Sequence, residues 1–353
     1  MLGHRLLIGL TLLLMLPNFA KALEAPAGVR PCCAFGTDLK AQVGGVPVPF
    51  FSLENLVDAG EFGSHIYNDG SQGVAGSLLG IADELNGLIY TRRGGFIDIA
   101  HVRDTADYTY YLYHELWPYI GSEHTLTLPA ELRQRRVVMR ADDVVHDNDS
   151  KRQQGIKLAG MLAFQLAQWH EIAQWFGLKS VSGWSELASA FSPEDLYSNM
   201  LGARLAIQVL EQTPTASVKE FSSAFEVALD EALQKLGEVE KAETQRRIRA
   251  LDGDWWDSDK RLPEKWVLRK RDYHLGLDLM PHAAEAPTPL KLEISQYGEL
   301  QLLPGGSESS FKTLPASLRK MPVWRGSDFQ SLADFARGQD LNIRRDADIR
   351  LGQ

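Results

Sequence analysis

Ser150 to Gly177 reads SKRQQGIKLAGMLAFQLAQWHEIAQWFG, and the fold turns on this stretch. Leu162, Leu166, Ala173 and Phe176 recur at helical spacing, Ser150 carries an N-cap side chain, and Gly177 is a stop, so a helix from Ser150 to Phe176 is predicted. Downstream, Ser192-Pro193-Glu194 has the signals of another helix start: a capping hydroxyl, a proline tolerated in the first turn, and an acid suited to the positive helix end. That helix is expected to reach about Leu210. Ser217, with Glu220 three residues on, forms a capping-box pattern ahead of Phe221, Phe225, Ala228, Ala232 and Leu236. A fourth helix is expected over Glu238 to Leu251.

Upstream, Leu88 to Thr91 and Phe96 to Ile99 flank Arg92-Arg93-Gly94-Gly95, which reads either as a hairpin or as a strand turning into a helix. Ile99 to Trp117 reads as helix, and Thr125 to Leu128 and Arg136 to Arg140 as short strands. Leu290, Leu292 and Ile294 alternate with polar residues before Tyr297-Gly298 leads into Leu300 and Leu302, so a C-terminal β-hairpin is expected. The fold class is therefore α+β, a helical central core with short β-strands at its flanks. The expected organisation is a leader over 1–22, an irregular arm over 23–75, a mainly helical core over 76–260 carrying the site, and a mixed β segment over 261–353.

The chain has 353 residues, 44% hydrophobic and 24% charged, which excludes disorder and fibrous repeats. Its 37 basic residues against 46 acidic ones leave a net charge of -9, which provides no general field for nucleic acid. Arg5, the apolar Leu6 to Leu16, and Ala20-Lys21-Ala22 have the pattern of a secretory signal cleaved after Ala22. That apolar run is too short to span a bilayer, and no later run comes closer. The expected location is periplasmic or secreted. The two cysteines, Cys32 and Cys33, are neighbours and are read as free or surface thiols, since a ring between adjacent cysteines is strained.

Trp169-His170-Glu171 on the long helix is the sharpest chemical signal. In zinc hydrolases His-Glu-x-x-His sets two imidazoles one turn apart with a glutamate to take a proton from metal-bound water. Here the second position is Gln174, a poor zinc ligand. Glu194 to Gly202 resembles the third-ligand helix of gluzincin metallopeptidases, which implies Asp195 as a ligand and Asn199 as the residue orienting a metal-bound histidine. Asp98 and His101, on neighbouring turns of one helix face, are candidates to complete the set. The expected centre thus gathers His101, His170 and Asp195 around a metal, zinc by this pattern, with Asp98 and Asn199 behind them, or uses the His101/Asp98 pair without a metal to activate water. In either case Glu171 is the general base beside His170 and His101. Asp254-Trp255-Trp256-Asp257 reads first as two aromatics anchoring the helical centre, and otherwise as a platform for a sugar face.

Tyr90-Thr91, Gly94 to Asp98, Ala100 to Asp104, Trp169 to Glu171 and Phe191 to Asn199 together resemble a bacterial family of exported proteins, the domain of unknown function numbered four thousand and fifty-six. The resemblance implies export and a one-family architecture over most of the mature chain. The functional expectation is an exported hydrolase-like protein acting on an envelope substrate. Its alternative is a non-catalytic envelope protein that binds a protein partner or a glycan.

Overall fold

The computed structural model describes residues 23–27, 30, 34–49, 55–70, 84–179 and 185–351, with side chains to 345. The expected leader, its cleavage point and the Cys32-Cys33 pair lie outside the described residues. In chain order the strands are β1 (Lys40–Val43), β2 (Val46–Pro47), β3 (Leu88–Thr91), β4 (Gly95–Asp98), β5 (His124–Thr127), β6 (Gln134–Met139), β7 (Arg261–Leu262), β8 (Asp278–Leu279), β9 (Leu290–Lys291), β10 (Gly298–Leu303) and β11 (Trp324–Arg325). The helices are α1 (Ile99–Leu116), α2 (Asn148–Trp175), α3 (Asp195–Gln212), α4 (Val218–Leu236), α5 (Lys241–Arg249), α6 (Ala316–Arg319) and α7 (Phe329–Leu351). The protein is α+β with a helical core.

Both readings of residues 88–99 are realised. β3 and β4 pair as an antiparallel hairpin, Leu88 opposite Asp98 and Thr91 opposite Gly95, and β4 then runs directly into α1. Thr91 Oγ1 closes the turn by accepting the Gly94 N–H at 2.9 Å. The capping box at Ser217 and Glu220 forms as read, and α4 ends on Gly237 in the left-handed region at φ 76°. Two helix starts differ from expectation. Asp147, not Ser150, caps α2, accepting the Ser150 N–H at 2.8 Å. Ser192 does not cap α3: its hydroxyl donates to the Glu194 carboxylate at 2.7 Å, and the helix begins at Asp195.

The expected C-terminal hairpin is also corrected. β9 pairs with β8, whereas β10 lies between β6 and β11 in a four-stranded antiparallel sheet of order β11-β10-β6-β5. Leu300 and Leu302 face the core from this sheet, so the apolar alternation was sound and the partner strand was not. The helices α1, α2 and α3 pack on one another, and α2 packs on this sheet at β10, with Trp169 of α2 set among Phe311, Trp324 and Phe329. A second, smaller core joins Phe35, Leu39, Leu88, Tyr90, Phe96, Trp255 and Trp256. Both indoles of the Trp pair are buried, and Trp256 Nε1 donates to the Ile248 carbonyl at 2.8 Å, so neither ring is a sugar platform.

Arg30 ties the N-terminal segment to α1. It meets Glu84 at 2.6 Å, Asp104 at 2.6 Å and Asp107 at 3.0 Å, while His65 stands 3.0 Å from Asp107 on the other side. Burial opposes the charge on Glu84, but His65, Arg30 and Arg103 outweigh it and hold that carboxyl far below its ordinary range. Among the described residues no helix is long and apolar enough to cross a membrane.

Candidate metal centre

The centre is built where the first turns of α1 and α3 meet. Asp98 ends β4 and caps α1, its carboxylate accepting the N–H groups of Ala100 at 2.8 Å and His101 at 3.3 Å. Its own N–H donates to Ser198 Oγ at 2.9 Å, and Ser198 Oγ donates to the Glu194 carbonyl at 2.7 Å. These bonds fix the two helix starts side by side. Gly202 permits the close crossing, since a Cβ there would stand 2.0 Å from the Val102 carbonyl oxygen. In consequence Asp98, His101 and Asp195 offer ligand atoms that all lie within 4.8 Å of one another, with His101 Nε2 3.6 Å from Asp195 Oδ2. All three side chains are buried.

Two further carboxylates close the surroundings. Glu171, from α2, accepts the Phe191 N–H at 2.6 Å through Oε2. Phe191 sits at φ 59°, a conformation that costs a bulky residue about 1–3 kcal/mol and that the local packing must over-determine. Arg271 helps do so, bonding the carbonyls of Leu187 and Ala190 in the same loop. Glu194 is held at Oε2 by Ser192. The remaining oxygen of each glutamate, and both carboxylate oxygens of Asp195, are buried with no hydrogen-bond partner among the described residues.

Buried carboxylates without partners are costly when charged. Burial, then the neighbouring charges of Glu194, Glu171 and Asp98, raise Asp195 well above the ordinary carboxylate range. Burial, with Asp98 and Glu171 adding to it against the pull of the Ser192 hydrogen bond, pushes Glu194 up to about 8. Glu171 is raised as well by burial, against the opposing charges of His170 and His101. Such a set either keeps protons at neutral pH or exchanges them for a cation. One imidazole and two carboxylates suit a divalent ion, with positions left for water.

His170 is placed differently from the sequence expectation. Its Nδ1 lies 2.5 Å from Glu131 and its Nε2 2.9 Å from the Gln174 amide, with Glu186 at 3.5 Å, so both ring nitrogens are engaged outside the Asp98–His101–Asp195 group. Burial opposes its charge, but Glu131 foremost and Glu186 outweigh it and push His170 up to about 9. Residues 170 and 174 thus face each other, where a gluzincin arrangement needs them to face one ion. Asp98 takes the place given to His170, as a member of the gathered group and not a residue behind it. Asn199 does not orient a histidine: its Oδ1 accepts from the Thr105 hydroxyl at 2.6 Å, one turn beyond His101 on α1.

Sequence reasoning singled out His101, Asp195, Asp98 and Glu171, and missed Glu194, Glu131, Glu186 and Arg271. Glu194 was visible only as a helix-start acid, although its place beside Asp195 was a usable signal. Glu131 and Glu186 come from loops whose approach to His170 is set by the tertiary fold.

The family model described as Protein of unknown function (DUF4056) matches residues 20–285. No curated protein and no solved structure matches the chain.

Proposed function

The chain belongs to this family of unknown function, DUF4056, and we propose that it is an exported, metal-dependent hydrolase-like protein whose cation sits at Asp98, His101 and Asp195. The observation that carries this reading is the convergence of those three buried side chains within 4.8 Å. Asp98, His101 and Asp195 would hold the cation, which would supply polarisation of a water and offset the carboxylate charge, and Glu171 would take the proton. The unpartnered Oε1 of Glu171 supports that role, because Oε2 is already fixed by the Phe191 N–H and the other oxygen keeps its lone pairs for a water. Export places peptides, cell-wall material or lipids within reach, following the leader pattern ahead of Leu23.

A second reading gives the ion a structural role in a non-catalytic envelope protein that binds a partner. The burial of all three ligands favours it, since closed metal sites are usually structural. Hydrolysis of peptide, ester and phosphoester probes by the mature chain, before and after chelation, separates the two. Activity that chelation removes and that Glu171→Gln lowers, with metal retained, supports the hydrolase. Metal-bound protein inactive on every probe class favours the structural reading, and activity indifferent to both changes contradicts a hydrolase built on this centre.

A further inference from the structure

The geometry points to a second divalent cation beside the first, held by Glu194 and by the other oxygen of Asp195, which makes the centre dinuclear and selects manganese or iron over zinc. This rests on the metal-dependent reading above and extends it from one ion to two.

Asp195 carries the argument. Both of its carboxylate oxygens are buried and neither has a hydrogen-bond partner among the described residues. A carboxylate serving one ion through one oxygen would leave the second costly and unmatched, whereas one that chelates a single ion or bridges two uses both, and the bridge is favoured by the unmatched oxygen of the neighbouring Glu194. Glu194, the next residue, repeats the pattern with one oxygen fixed by the Ser192 hydroxyl and the other buried without a partner. A hydrogen bond on one oxygen that aims the other is how ligating carboxylates are commonly oriented.

Charge balance leads to the same place. Asp98, Glu171, Glu194 and Asp195 are four buried acids, and the charges of the other three all bear on Asp195. One divalent cation offsets two of them. His170 and Arg271 act on Glu171 from outside the group, and His101 acts on it from within. With the first ion offsetting Asp98 and Asp195, Glu194 is the one acid of the four that a single ion does not balance.

The helical arrangement is also suited to two ions. Helical bundles hold paired ions with a carboxylate and a histidine three residues apart on each of two helices and further carboxylates from the facing ones, and one such pair is present in this group. Here Asp98 and His101 supply the first part, at the start of α1. Asp195 and Glu194 come from the start of α3, and Glu171 from α2. With one imidazole among so many carboxylate oxygens, the donor set favours harder ions than zinc. Glu171 Oε1, which has no partner among the described residues, would remain available to take a proton from water and need not be a ligand itself.

The test uses the mature chain produced with manganese, with native mass spectrometry for the number of ions and electron paramagnetic resonance for coupling between them. The expected result is two manganese ions per chain with an exchange-coupled spectrum, and Glu194→Gln retaining one ion with the coupling lost. One ion per chain overturns this inference and leaves the single-ion reading intact. No bound ion after loading overturns both. Two uncoupled ions whose number Glu194→Gln does not change place the second ion elsewhere, and likewise overturn it. The coupling is read on the unaltered chain, so the inference is decided even if the variant fails to fold.

Discussion

Gly202→Ala probes the helix crossing on which the whole centre depends. An added Cβ would lie 2.0 Å from the Val102 carbonyl oxygen and 2.8 Å from its carbon, and ordinary contacts begin at 3.4 Å, so α1 and α3 must separate by about 1.4 Å. Both contacts are backbone, which cannot rotate away. Overpacking of this kind costs about 3 kcal/mol, the upper end of its usual range. Alanine returns about 1 kcal/mol in helix propensity over glycine, leaving a net loss of about 2 kcal/mol. For a chain of this size that lowers Tm by about 3 °C. Gly338→Ala is the control, because that glycine is exposed in α7 with nothing within 4 Å of its Cβ position, and it should gain stability. Calorimetry of the three proteins reads the difference. The same displacement moves Asp195 from His101, so metal affinity should fall with Tm. A Gly202→Ala protein as stable as Gly338→Ala, with metal binding intact, would refute the packing argument.

Arg30→Ala should cost about 3–5 kcal/mol in urea unfolding, because Glu84, Asp104 and Asp107 would be left buried without their common cation; loss of under 1 kcal/mol would show that the clasp contributes little. Glu84, depressed from 4.5, adds stability that is present above that value and lost as pH falls, so the unaltered chain should weaken in acid more steeply than Glu84→Gln does. His170, raised from 6.5 to about 9, contributes stability that is complete below 6.5 and lost as pH rises through 9. His170→Asn should therefore flatten the alkaline side of the stability profile without removing bound metal, whereas metal loss in that variant would return His170 to the ligand set. Glu171→Gln should keep metal and fold while lowering hydrolysis by roughly 100-fold, and an active preparation indifferent to it excludes Glu171 as the base.

What the sequence made legible follows the range of the forces involved. The start of α1, the body of α2 and the capping box of α4 rest on residues a few positions apart, and each forms where the pattern placed it. The start of α2 was offset because Asp147 and Ser150 are both good caps, and nothing local ranks them. The pairing of β10 with β6 spans more than 150 residues, so apolar alternation found the strand and not its neighbour. In the site, His101 was singled out by its helix spacing from Asp98, and Asp195 by the resemblance of its helix to a gluzincin ligand helix. The exchange of His170 for Asp98 was not legible, because it depends on Glu131 arriving from a distant loop to engage the His170 ring.

The central claim is that a cation is held between the starts of α1 and α3. Anomalous diffraction from crystals of the mature chain grown with manganese, recorded above and below the metal edge, tests it most directly. The account expects a peak between Asp98, His101 and Asp195 that disappears in Asp195→Asn. No peak at that position, or one lying instead among Glu131, His170 and Glu186, would contradict it.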